Sequence, residues 1–149
     1  MKFSNDAMRD VLMFLEENIK YEECGTFGDK RKTTYNINMI IDNEYFTDLF
    51  SKHKYSKDEL QYTIEKMIEG NILTITGTLN TYYQITDISF YGIQLLEKIR
   101  PETIWEKTKN IANKVGNHTL SFIEDTAQKI AVTATATLVS NIINSNNPK

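Results

Sequence analysis

The stretch YSKDELQYTIEKMIEGNILTITGTLNTYYQITDISFYGIQLLEKIR, residues 55–100, decides the fold. Ser56 is a helix N-cap, and Glu59 three positions later completes a capping box. Leu60, Ile64, Met67 and Ile68 then recur at the i, i+4, i+7, i+8 spacing of one buried helical face. Gly70 follows the last apolar residue, where a left-handed glycine is expected to close the helix. The β-branched run from Ile72 to Thr76 and the run from Thr81 to Thr86 flank a Gly/Asn-containing connection, Gly77 to Asn80, which spells a hairpin. Ser89 caps another amphipathic helix bearing Ile93, Leu95, Leu96 and Ile99, stopped by Pro101. Helix, hairpin and helix in this order are the closing half of a winged helix-turn-helix domain.

Upstream, Asn5 or Ser4 caps a first helix with Met8, Val11, Leu12, Leu15 and Ile19 on one face. It is expected to fray at Glu22, Glu23 and Gly25 into a loop rich in glycine and charge, through Gly28, Lys30, Arg31 and Lys32. Thr33 to Ile41 is rich in β-branched and aromatic residues and is expected to supply the short strand that joins the hairpin. Asn43 or Asp42 caps a brief helix carrying Tyr45, Phe46, Leu49 and Phe50.

Downstream, Pro101 is expected at the first helical position of a helix bearing Ile104, Trp105, Ile111 and Val115, closed by Gly116 and Asn117. Trp105 is expected to anchor the C-terminal helices. A last helix begins near Thr119, and no charged residue occurs between Ile130 and Ile143. The class is therefore mainly α (α+β): a winged-helix domain over 1–100 with a small hairpin wing, and two added helices over 101–149. Residues 144–149 are expected to form a disordered polar tail.

Composition narrows the function. The 149 residues include 17 basic and 20 acidic side chains, a net charge of −3, so no global field favours nucleic acid. With one cysteine, Cys24, no intramolecular disulfide forms. No apolar run reaches the roughly twenty residues needed to span a bilayer. The N-terminus carries no secretory signal pattern, and a cytoplasmic location is expected. His53 and His118 share no motif spacing with any nucleophile or metal ligand, so no catalytic residue, metal or cofactor is expected.

Three regions resemble an uncharacterised family of small proteins found largely in bacteriophages and prophages and thought to be winged-helix-like. They are Tyr55-Ser56, Glu59-Leu60, Tyr62 and Gly70-Asn71-Ile72; then Ile88-Ser89, Gly92, Leu95-Leu96 and Ile99-Arg100; and Ile104-Trp105-Glu106-Lys107-Thr108-Lys109. The chain departs from that pattern at Thr63, where a histidine is expected. The resemblance implies a fold and a phage-related origin, and no reaction.

Two binding functions compete, and fold analogy places a DNA-associated transcriptional regulator first, with a protein-binding adaptor as the alternative. As a DNA-associated regulator, the chain would use Lys30, Arg31, Lys32, Lys52, Lys54 and Lys57 on phosphates, with Gln61 and Lys66 of the recognition helix and Thr78, Asn80 and Thr81 of the wing assisting. That recognition helix also carries Asp58, Glu59, Glu65 and Glu69, which a polyanion repels. As an adaptor or anti-host-defence protein, the same scaffold would bind a host or phage protein. In either case a homodimer is expected through Leu120, Ile123, Ala127, Ile130, Ala134, Leu138 and Ile142 of the last helix. Packing of that helix on its own domain, or against a membrane surface, are the competing fates of its apolar surface.

Overall fold

A computed structural model describes residues 1–79 and 82–146. The protein is mainly helical, with two small antiparallel hairpins. It divides into two compact units, residues 1–96 and 97–149.

In the first unit, α1 (Asn5–Asn18) starts at Ser4, whose hydroxyl accepts from the Ala7 amide. Ser4 also donates its own amide to the Thr63 hydroxyl at 3.1 Å, and Thr63 is fully buried. The position where a histidine was expected thus holds a structural hydroxyl. Ala7, Met8, Val11, Leu12, Phe14 and Leu15 of α1 form the centre of the core.

The expected glycine-rich loop is instead a hairpin, β1 (Tyr21–Glu23) with β2 (Lys30–Lys32). Its register sets Glu22 against Arg31 and Glu23 against Lys30, opposite charges across the ladder. Gly25 (φ 84°) and Gly28 (φ 74°) make the reversal, a backbone that side-chain-bearing residues rarely adopt. An acidic strand against a basic one on an exposed two-stranded ribbon leaves no hydrophobic pattern, so the sequence reads as a loop.

The strand expected over Thr33 to Ile41 is reduced to one residue. Tyr35 exchanges both backbone bonds with Ile85 at 2.9 and 2.7 Å. Immediately after it the Asn36 side chain accepts from the Met39 amide and starts α2 (Ile37–Ile41), burying Ile40 and Ile41. A local cap therefore overrides the β propensity of this run. Next, α3 (Glu44–Ser51) is capped by Asn43, and α4 (Lys57–Glu69) by the full Ser56/Glu59 capping box. Leu60, Ile64 and Met67 of α4 are fully buried, and Thr63 lies on the same face.

The left-handed residue that ends α4 is Asn71 (φ 57°), not Gly70 (φ −83°). Asparagine tolerates this region because its short amide bonds locally. The hairpin of β3 (Leu73–Leu79) and β4 (Tyr82–Ile88) follows, with register shifts after Thr74 and after Thr76. Its strands run longer than the sequence indicates: Gly77, Thr78 and Leu79 belong to β3. Asn80 and Thr81 lie outside the described residues.

Ser89 then introduces α5 (Phe90–Ile99), accepting from the Gly92 amide at 2.9 Å. Its hydroxyl lies within donor reach of the Asn71 and Ile72 carbonyls, at 2.6 and 2.9 Å. Its amide donates to the Ile72 carbonyl at 3.0 Å.

The second unit contains the last turn of α5, α6 (Glu102–Val115) and α7 (Leu120–Asn146). Pro101 is the N-cap of α6 rather than its first helical residue, and Gly116 closes it in the left-handed region. Trp105, Thr108 and Ala112 of α6 are buried, as are Ile123, Thr126 and Ala127 of α7, a helical hairpin. The expected tail is helical through Asn146, with Ser145 bonding back to the Ile142 carbonyl. Residues 147–149 lie outside the described residues.

A Cβ on Gly92 would sit 2.3 Å from the Ile72 carbonyl oxygen and 2.7 Å from Ile88 Cγ2. One neighbour is backbone, so relief requires shifting α5 or the hairpin. Gly92→Ala is expected to lower unfolding free energy by roughly 1–3 kcal/mol despite alanine's better helix propensity. Urea denaturation followed by circular dichroism measures it; an unchanged midpoint would show that the contact relaxes freely.

Candidate functional site

The candidate phosphate-binding residues all lie in the first unit. Lys32 bonds to Asp87 on β4, and that carboxylate raises the Lys32 ammonium above its ordinary range. Lys54 approaches Asp10 of α1 at 3.5 Å, and Lys57 approaches Asp42 at 3.9 Å. On α4, Lys66 pairs with Glu69 at 2.7 Å and is also raised by that partner, while its ammonium lies 5.5 Å from the Tyr62 ring. Gln61 bonds to Glu65 at 3.1 Å. Lys30, Arg31 and Lys52 are exposed and form no ion pair among the described residues. Each paired lysine therefore answers a different carboxylate.

The outward stripe of α4 is Asp58, Tyr62, Glu65 and Glu69, spaced 4, 3 and 4 residues apart. Three of its four members are acidic. Between α3 and α4, His53 occupies the left-handed region (φ 55°) in the turn. Its neighbours carry the turn's backbone bonds, so this basic tripeptide is first a helix-to-helix connection. Thr78, Asn80 and Thr81 of the proposed wing fall on residues whose side chains are not described.

Sequence reasoning missed a buried polar group. Asp10 is 5% exposed, accepts from the Tyr55 hydroxyl at 3.1 Å and lies beside Lys54. Burial pushes its carboxyl pKa up, opposed by the Lys54 charge and the Tyr55 bond. Burial and the adjacent carboxylate push the Tyr55 hydroxyl far up as well, so it stays protonated. Tyr55 also stacks edge-on against Phe50, within a run of rings that continues through Phe46 to Phe14 and Tyr35. In the sequence Asp10 looks like an ordinary helix-surface acid. Only the return of Lys54-Tyr55 from 45 residues away identifies it.

The expected interface residues in the second unit separate into two groups. Ile123 and Ala127 are buried and Leu120 and Ile130 half-buried within the helical hairpin. Ala134, Leu138 and Ile142 are exposed. A continuous seam through all seven is therefore not what the structure presents, because α6 already covers its first part. Among the described residues no group of His, Cys, Asp and Glu is arranged to hold a metal. No described helix is long and apolar enough to cross a membrane.

Residues 2–118 match the family model described as hypothetical protein (DUF2513), and the chain belongs to that family. The matched span covers the first unit and α6, and α7 lies beyond it. No curated protein and no solved structure matches the chain.

Within the matched span the Asp10 cluster predicts a definite pH response. A carboxyl whose folded pKa is raised contributes most below its unfolded pKa of 3.8 and loses that contribution as pH rises through the folded value. Asp10→Asn keeps an acceptor for Tyr55 and does not titrate. Lowering pH from about 7 toward about 4 should therefore shift the stability difference in favour of the parent. Paired urea melts across that range measure this, and a flat or opposite trend would show that Asp10 stays ionised in the fold.

Proposed function

We propose that this chain is a non-enzymatic protein-binding module of phage or prophage type, built on a winged-helix frame. Support for the frame is the order α1, the Tyr35 bridge, α2–α3, α4, the β3–β4 hairpin and α5. In this reading the wing is β3–β4, the recognition helix is α4, and the helices after residue 100 are an appended module. The resemblance to phage-encoded proteins fits the same reading, as does a cytoplasmic site of action.

The observation that carries protein binding over DNA binding is the pairing of the candidate cations. Lys32, Lys54, Lys57 and Lys66 each face a carboxylate of the same chain. Phosphate contact would have to displace these partners, while Asp58, Glu65 and Glu69 of α4 repel the polyanion. An acidic, partly aromatic helix face instead complements a basic groove on a host or phage protein. Lys30, Arg31 and Lys52 are the residues from which a DNA-associated regulator would have to be built.

Fluorescence anisotropy with an AT-rich duplex, in a salt series starting near 50 mM, separates the two. No saturable binding is expected at the lowest salt. Binding with a counterion-release slope of several units would overturn the proposal in favour of the regulator.

A further inference from the structure

The second unit carries an apolar surface that α6 does not cover. Val132, Leu138, Val139, Ile142 and Ile143 are 48–61% exposed along the distal half of α7. At about 100° per residue, they fall with Ala131, Thr135 and Ala136 on one broad stripe. That stripe is centred roughly 145° around the helix from Ile123, Thr126 and Ala127, which face α6. It begins near Ala131, one turn before the α6-facing positions run out at Ala134. So α7 has two apolar faces in succession; the first packs on α6, and the second borders Glu97 and Lys98 at its start while Leu138, Val139, Ile142 and Ile143 stay exposed.

We propose that a second copy of this chain covers the distal stripe, the two α7 helices lying antiparallel across a two-fold axis near Thr137. The dimer does not depend on the function proposed above.

Three features commit the surface to this occupant. The first is charge. No charged residue occurs from Ile130 to Pro148, so homotypic pairing meets no like-charge repulsion along α7, and only the start of the stripe is bordered by charge, Glu97 and Lys98 of opposite sign. The second is size. The stripe is small at its start (Ala131, Thr135, Ala136) and large at its end (Leu138, Val139, Ile142, Ile143). Antiparallel alignment about Thr137 sets Ala131 against Ile143, Val132 against Ile142, Thr135 against Val139 and Ala136 against Leu138. Two of these four pairs, Ala131 with Ile143 and Ala136 with Leu138, place a small residue opposite a large one, as an interdigitated layer requires. Parallel alignment stacks large on large and small on small. The third is polar satisfaction. The Thr135 hydroxyl bonds to the Ala131 carbonyl at 2.9 Å within its own helix, so its burial in the seam strands no donor.

The area sets the strength. The paired segment is about 20 Å long at 1.5 Å per residue, below what a standard-size interface needs. The dissociation constant is therefore expected in the micromolar range.

Sedimentation equilibrium of the full chain from about 5 to about 500 µM, covering the weak-interface range, tests the pairing. A monomer–dimer equilibrium is expected, and Val139→Glu should weaken it on the order of a hundredfold while leaving helix content unchanged. Val139 is already half-exposed in the single chain, so its replacement does not threaten the fold. Orientation is read by disulfide trapping in a Cys24→Ser background. Mixing A131C protein with I143C protein should form the mixed disulfide faster than either variant links to itself. A monomer throughout the range, a dimer indifferent to Val139→Glu, or preferential A131C self-linking would each overturn the proposal.

Discussion

The carbonyl of Ile72 accepts from both the amide and the hydroxyl of Ser89, and Gly92 lies directly against it. These contacts tie the end of α4, the start of β3 and the first turn of α5 to one point. The β3–β4 hairpin leaves from that point and returns to it, so its base is set by hydrogen bonds that already cap a helix. Asn71, in the left-handed region, turns the chain from α4 into β3 and offers its own carbonyl to the Ser89 hydroxyl. Ile72, Leu73, Ile85 and Ile88 then enter the core from the hairpin base. Without a side chain at position 92 the helix can approach a backbone carbonyl, which no larger residue permits without displacement.

What the sequence revealed was local chemistry. Ser56 with Glu59, and Ser89 before an apolar helix, could be read because a cap and its partner lie within one helical turn. The Thr33–Ile41 segment misled for the opposite reason. Its β-branched residues favour a strand, but Ile37, Ile40 and Ile41 also have helical spacing, and the Asn36 cap decided between them. The β1–β2 ribbon stayed hidden because cross-strand charge pairing has meaning only once the reversal at Gly25 and Gly28 is known. Of the candidate site, the sequence identified the cations but not their partners. Lys32 and Asp87 are 55 residues apart, and nothing in the chemistry near either names the other.

Those long-range pairs explain why a basic cluster in a sequence is weak evidence for a basic surface. In a chain with 20 acidic residues against 17 basic ones, Lys20, Lys32, Lys54, Lys57, Lys66, Arg100 and Lys109 each fold beside a carboxylate. The exposed pairs contribute little to stability, since water screens them and long side chains lose entropy on pairing. Asp10 differs because its carboxylate is buried. Lys54 and Tyr55 offset part of the desolvation of that group, and the carboxylate in turn fixes where the chain re-enters the core before α4. The basic tripeptide that looked like a phosphate clamp thus acts in part as a fold contact.

The distal half of α7 presents the complementary problem, a surface with too little charge. Thr133, Thr135 and Thr137 return their hydroxyls to the carbonyls of Lys129, Ala131 and Thr133 at 2.9 to 3.0 Å. Bonded this way, a threonine behaves toward its surroundings more like valine, and the helix surface becomes more apolar than its composition implies. The same residues, with Val132, Val139, Ile142 and Ile143, are β-branched and lower intrinsic helix propensity. No glutamate–lysine pair at i, i+4 supports this part of the helix, since it contains no charge. Local forces therefore do little to hold a helix here. In the proposed pairing, burial of the apolar stripe would supply the support that local forces do not, as tertiary packing does for most protein helices.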